Sequence, residues 1–343
     1  VRLRGGEVSV KRPASGVIAD SGSDAGPAFG ERPLPSDVVC IVGPTGSGKS
    51  ELAIRVALAL NGEIVNCDSL QTYRGFDLGT AKPTAADRAR VPHHLLDVAG
   101  PGEDFTAGDF ARMALAVLHD ISDRKKLPVV AGGTGFYLKA LIDGLAPAPK
   151  RDVALRERLL RMEQRGSGRL HRLLARWDLS AAARIQSGDT QKLVRALEVM
   201  LQQRQPLSAV YQQSRQAPSG FRFFQLGLDP PRPKLYQRLD ARCERMWQSG
   251  LVDEVRTLLA AGYSPDAKPM GAIGYKQALR VLQGSQSDAE ALEEMKRDTR
   301  RYAKRQWTWF RRDSRLVWFP ITELQQDTHK RVVSLLYKQL FWH

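Results

Sequence analysis

An α/β fold, a P-loop NTPase-like parallel sheet flanked by helices with an all-helical insertion domain, is predicted by three features of the sequence. A short β-rich apolar run at 38–42 leads directly into the glycine loop GPTGSGKS and a helical segment at 51–60. Further strands then alternate with helices, the order that gives a parallel sheet with right-handed crossovers. After Pro147-Ala148-Pro149 the pattern changes to basic amphipathic helix.

The elements follow in order. Residues 1–36 mix Gly, Pro, Ser and charges without period and read as a disordered leader. Glu7, Asp20, Asp24 and Glu31 argue against a transit peptide. VVCIV at 38–42 has the continuous apolar character of a strand buried on both faces. A second strand at 63–67 ends at Asp68, and 105–119 is helical. A third strand at 127–131 is closed by Gly132-Gly133-Thr134-Gly135. From 153 to 177, Leu155, Leu159, Leu160, Leu170, Leu173, Leu174 and Trp177 form apolar stripes broken at Gly166-Ser167-Gly168. Arg156, Arg158, Arg161, Arg165, Arg169, Arg172 and Arg176 occupy the rest, so a helical insertion with a basic face is expected. A strand at 223–228 resumes the α/β pattern, and the C-terminal third is mostly helical. The predicted organisation is a core of 37–149 and 190–320, an insertion of 150–189 and a C-terminal tail or helix at 321–343.

Lys and Arg outnumber Asp and Glu by 52 to 37, a formal charge of +15 that points to a polyanion, nucleic acid first. Cys40, Cys67 and Cys243 are scattered and have no zinc spacing, which predicts a reducing, cytoplasmic setting and no structural metal. No apolar run reaches membrane-spanning length, and a monomer is expected.

The strongest motif is Gly43, Pro44, Thr45, Gly46, Ser47, Gly48, Lys49 and Ser50, a full GxxxxGK[ST] match between a strand and a helix. Backbone N–H groups and the helix N-terminus bind phosphate oxygens, Lys49 adds a cation, and Ser50 is a ligand for Mg²⁺. Such a loop suits any diphosphate, not ATP alone. Asp68, at a strand's carboxyl end, reads as a general base for an O–H or N–H acceptor; a Mg²⁺-water ligand and a turn cap are the alternatives. Gln71 suits an adenine edge, because its amide donates and accepts. His93 and His94 are adjacent, share no face, and read as local hydrogen-bonding residues. Arg238 and Arg242 stand at i, i+4 on a helix, where they form either a diphosphate clamp or a solvated basic face. In TRRYAKRQWTWFRR at 299–312, Ala303, Trp307 and Phe310 form an apolar stripe, so these aromatics read as core; the arginines suit a phosphate backbone.

GPTGSGKS, DSLQTY with GTAKPT, PHHLLD, FTAGDF, GGTGFYLKAL, RALEV, IGYKQ and TRRYAKRQWTWF occur in this order, and over about 37–320 the chain resembles the tRNA dimethylallyltransferase (tRNA isopentenyltransferase) family. The resemblance implies transfer of a dimethylallyl group from dimethylallyl diphosphate to N6 of adenosine 37 in tRNA, with Mg²⁺ assisting and the P-loop holding the donor's diphosphate. It implies that Asp68 is the catalytic base and that Thr45 lies near the reacting carbon and leaving oxygen. It further implies that Arg242, with Arg238, binds diphosphate. Asp68, Ser69, Leu70, Gln71, Thr134, Arg156, Gln191, Lys192, Leu193, Val194 and Arg195 match tRNA-contacting positions. The chain departs from the family at 187–192, where SGDTQK replaces a Pro-Asn-Asp-x-x-Arg-like stretch, and at Gly46, where Ala is usual. The rival activities are prenylation of a free adenylate and P-loop kinase chemistry; the basic helices favour tRNA.

Overall fold

The computed structural model describes residues 37–341 except 101, 147, 213–217 and 322–325; the predicted leader lies outside the described residues. The chain forms two compact units, one of residues up to Leu141 and from Ser219 onward, the other Ile142–Pro218.

The first unit is built on one all-parallel sheet of order β3-β2-β4-β1-β5-β6. Its first half runs β1 (Asp37–Val42), α1 (Lys49–Ala59), β2 (Gly62–Asn66), α2 (Ala85–Arg90), β3 (His93–His94), α3 (Ala107–Asp123), β4 (Leu127–Gly132) and α4 (Gly135–Asp143). The second unit holds α5 (Val153–Gln164), α6 (Arg169–Trp177), α7 (Leu179–Ala182), α8 (Thr190–Gln203) and α9 (Leu207–Gln212). The sheet then resumes with β5 (Arg222–Asp229), α10 (Arg232–Gln248), α11 (Leu251–Ala260), a single 3₁₀ turn (Lys268–Gly271), α12 (Tyr275–Leu282), α13 (Asp288–Phe310), β6 (Val317–Pro320) and α14 (Gln326–Phe341).

The apolar run of β1 is buried at every residue because β1 is central, paired with β4 on one side and β5 on the other. Its side chains and those of β4 and β5 pack with Leu52, Ile54 and Val56 of α1. Helices α3 and α13 start at full capping boxes, Thr106 with Asp109 and Ser287 with Glu290, which satisfy their first free N–H groups.

Two boundaries differ from the sequence expectation. The helical unit extends beyond 150–189, from Ile142 to Pro218, and takes in α8, which the sequence pattern assigns to the core. Leu193, Val194, Leu197 and Met200 of α8 pack against Leu159, Leu170 and Leu174, so α8 completes the core of the helical unit. The segment at 321–343 includes α14, whose Val332, Leu336 and Leu340 belong to the core cluster of the sheet. Strands β3 and β6 add edges that the sequence pattern does not announce. No helix among the described residues is long and apolar enough to cross a membrane.

Candidate active site

The P-loop turns out of β1 on residues that only glycine adopts easily: Gly43, Gly46 and Gly48 have φ of 146°, 75° and 87°. The Ser47 N–H donates to Pro44 O at 3.2 Å and closes the turn, and α1 begins at Lys49. The first N–H groups of that helix have no partners within it, which makes its start an anion site. Ser47 Oγ is buried without a hydrogen-bond partner, and Ser50 is exposed at the helix start. Lys49 Nζ donates to Pro44 O at 3.4 Å. Burial lowers its pKa to about 8; Asp68 opposes that shift and Arg242 adds to it.

Asp68 follows β2 in a loop set by two neighbouring side chains. Asn66 donates to the carbonyls of Asp68 and Leu95 at 3.2 and 3.1 Å, and its Oδ1 accepts the Asp68 N–H at 3.1 Å. Thr134, from the loop after β4, donates its N–H to Cys67 O at 3.1 Å, and its Oγ1 accepts the Ser69 N–H at 3.0 Å. Asp68 is therefore gripped on both sides. Its own Oδ1 accepts the Leu70 N–H at 2.9 Å, so the residue is a turn cap. Oδ2 accepts no hydrogen bond from another described residue, and the cap leaves it open for a proton.

Arg242 reaches this site from α10. It makes no ion pair or hydrogen bond with another described residue; burial pulls its pKa down, while nearby Cys243 and Asp68 push it up. A guanidinium remains a cation under that shift. Lys49, Asp68 and Arg242 thus act on one another at the carboxyl end of the sheet. Arg238, one turn earlier on α10, is half-buried and is not among the leading charges acting on Lys49.

Helix α13 covers the same end. Gln306 accepts the Thr45 N–H at 2.8 Å and donates to Gly133 O at 2.9 Å. Tyr302 is half-buried, and its pKa is raised by partial desolvation and by Asp68. Ala303, Trp307 and Phe310 are buried, as the stripe predicts, and Trp307 Nε1 donates to Asp229 at 3.0 Å. Gln306 and Tyr302 are site residues that the sequence motifs do not single out. The available signal for Gln306 is a polar residue at the i+3 place of an otherwise apolar stripe, 303, 307 and 310.

Several residues expected at the site are placed differently. Gln71 spends its amide donors on Thr80 O and Ala81 O, at 3.1 and 3.2 Å, so it offers an adenine edge an acceptor only. Leu193 and Val194 are buried in the helical core and present no side chain to a tRNA. Gln191 and Lys192 are exposed, with Lys192 paired to Asp189. Arg156 and Arg195 both bind the fully buried Glu198, at 3.1 and 2.6 Å. His93 bonds Val91 O, as the local reading expects, whereas His94 bonds Glu63, 31 residues away on β2. Among the described residues, no group of three His, Cys, Asp or Glu side chains could hold a metal by itself.

A family model described as IPP transferase matches residues 71–313. The chain is 50% identical over 303 residues to a tRNA dimethylallyltransferase of Solibacter usitatus, covering 87% of this chain and 99% of that one. It is 49% identical over 282 residues to a tRNA dimethylallyltransferase of Geobacter sulfurreducens, covering 82% and 91%. Among solved structures it is similar to the full-length tRNA isopentenylpyrophosphate transferase of Bacillus halodurans, at 35% identity and TM-score 0.66 over 89% of this chain and 97% of that one. A eukaryotic dimethylallyltransferase acting on tRNA is also similar, at 26% identity and TM-score 0.77 over 89% and 79%.

Proposed function

The chain belongs to the IPP transferase family, and we propose that it transfers the dimethylallyl group of dimethylallyl diphosphate to N6 of adenosine 37 beside the anticodon of tRNA, releasing diphosphate. One observation carries this reading within the site: a half-buried arginine that pairs with no carboxylate among the described residues, Arg242, acts with Lys49 and the Asp68 carboxylate at a single P-loop. Two cations suit a diphosphate that leaves as a unit. The carboxylate suits an acceptor that loses a proton.

In the proposed reaction N6 of the adenine bonds to the allylic carbon as the carbon–oxygen bond to diphosphate breaks. The electron pair leaves with the diphosphate, and the N6 proton passes to Asp68 Oδ2. Lys49, Arg242, with Arg238 beside it, and the N–H groups of Gly46, Ser47, Gly48, Lys49 and Ser50 stabilise the departing charge. Gly43 and Pro44 shape the loop, and Thr45 stands at its head, near the reacting carbon. A magnesium ion fits this donor set, since Mg²⁺ takes few protein ligands and Ser50 presents its hydroxyl at the exposed start of α1. When bound it would neutralise part of the diphosphate charge. Buried Gln306 and half-buried Tyr302 stand beside the loop, and excluding water there would protect an allylic cation.

The target adenine has to leave its stack, which is least costly in a loop and costs a few kcal/mol. Ser69, Leu70, Gln71 and Thr134 stand beside Asp68 to receive it. Gln191, Lys192 and the exposed arginines of α5 and α6 track the phosphate backbone, with Arg156 and Arg195 held on Glu198. The protein acts as a monomer, in the cytoplasm with its tRNA substrate.

Purified protein is incubated with dimethylallyl diphosphate and either anticodon stem-loop RNA or AMP, and the nucleosides are weighed by mass spectrometry. Prenylated adenosine from the RNA alone is the expected result. Prenylated AMP with untouched RNA would assign the protein to free nucleotides. Turnover of ATP with no prenyl transfer would make it a kinase.

A further inference from the structure

We propose that Gln306 is a positioning residue for the transfer: its amide clamps the P-loop to the loop after β4 and so sets the diphosphate site against the acceptor base. The proposal rests on the prenyl-transfer reading above. Gln306 is 5% exposed and joins two segments distant in sequence, 261 residues away at Thr45 and 173 away at Gly133. The two bonds are of opposite sense, since Oε1 accepts from Thr45 N–H at 2.8 Å and Nε2 donates to Gly133 O at 2.9 Å. An apolar side chain of the same size would fill the space on the 303–310 stripe but satisfy neither group.

The clamp is directly linked to the chemistry on both sides. A Cβ on Gly133 would lie 2.4 Å from Gln306 Nε2 and 3.6 Å from Lys49 Nζ, so the amide, the glycine and the lysine occupy one small space. The next residue, Thr134, bonds Cys67 O and the Ser69 N–H on either side of Asp68. Hydrogen bonds therefore connect Thr45 through Gln306 to Gly133, and its chain neighbour Thr134 continues them to the segment carrying Asp68. The same turn of α13 packs Ala303 and Trp307 against Leu235 and Leu239 of α10, the helix that carries Arg242. Cradle, base and second cation are referred to one helix, and Gln306 is the polar group that ties it to two of them.

Glutamate provides the discriminating substitution. In Gln306→Glu the protonated side chain has the donor and acceptor of glutamine in the same places, whereas the ionised carboxylate faces Gly133 O with no donor. Burial there raises the pKa of a carboxyl, and the nearby Lys49 ammonium opposes the rise. Gln306→Met and Gln306→Glu are compared with the wild type in single-turnover transfer to anticodon stem-loop RNA as a function of pH, alongside RNA affinity and thermal melting. The Met variant is expected to transfer ~10²-fold more slowly with unchanged RNA affinity, the penalty typical of ångström-scale misplacement. The rate of the Glu variant, relative to wild type, should rise as pH falls or stay near wild type throughout, while the Met ratio stays flat. A Met variant at wild-type rate would overturn the proposal. So would a reduced rate in both variants that is independent of pH and matches their fall in folded protein. If the wild type transfers no prenyl group, the prenyl-transfer reading fails by itself. The clamp is then decided by affinity for inorganic pyrophosphate, weakened in Gln306→Met if the proposal holds and unchanged if it does not.

Discussion

Arg242 is half-buried in the sheet-bearing unit and pairs with no carboxylate among the described residues, whereas Arg158, Arg161, Arg165, Arg169, Arg172 and Arg176 of the helical unit lie on or beside α5 and α6, all of them exposed. Withdrawing a charge from water is costly unless something compensates it, so a half-buried guanidinium with no carboxylate partner suits an anionic ligand. Exposed arginines carry little of that penalty, and each contributes a weak, screened attraction. The first arrangement suits a small, highly charged ligand held in one geometry. The second suits a long polyanion bound by many similar interactions. Arg156 and Arg195 form a third case, because Glu198 neutralises part of their charge and holds them in place.

Changes beside the P-loop should be severe and local. Asp68→Asn is expected to slow turnover by ~10²–10⁴-fold with RNA affinity little changed, if Asp68 accepts the proton. An unchanged single-turnover rate would reduce Asp68 to the turn cap it also forms. Arg242→Ala should lower the transfer rate by ~10²–10³-fold, the scale of removing one charge-stabilising group. Pyrophosphate affinity should fall with it, measured by calorimetry, and a wild-type affinity would remove Arg242 from the diphosphate site.

Changes in the exposed set should be graded and salt-dependent. Reversing Arg158, Arg161 and Arg165 together should weaken RNA binding and reduce the slope of log affinity against log salt by about one for each phosphate no longer neutralised. Filter binding at several salt concentrations measures this, and an unaltered slope would make the basic face a solvated surface. The smallest expected effect is a proton. With its pKa lowered to about 8, Lys49 in the free protein loses its charge as pH rises through that value. A bound diphosphate favours the charged form, so binding above pH ~8 should take up part of a proton, and affinity should decline as pH rises. Calorimetry in two buffers of different ionisation enthalpy reads the uptake; none at that pH would mean that Lys49 is already charged.

The same division governs what is legible without the structure. The central strand β1 is legible because a strand buried on both faces is a continuous apolar run. The break between α5 and α6 is legible at Gly166-Ser167-Gly168, since Gly168 enters α6 with φ of 78°. Strand β3 has two residues and β6 four, one of them Pro320, so neither carries enough pattern to announce a strand. Helix α8 is legible as amphipathic, but periodicity shows that a face is buried, not against which neighbour. The family pattern therefore places Leu193 and Val194 among tRNA-contacting positions, although their side chains are core.

The sequence by itself determined the P-loop, its position between a strand and a helix, and the basic excess. Each is local or additive: a run of glycines specifies its own backbone, and charges sum wherever they lie. Only the tertiary structure brought Lys49, Asp68, Arg242 and Gln306 together at one end of the sheet, and made Arg156 and Arg195 share one carboxylate. Those relations depend on the packing of distant elements, where one residue's partner is set by the sum of many apolar interactions and by no pattern in its own neighbourhood.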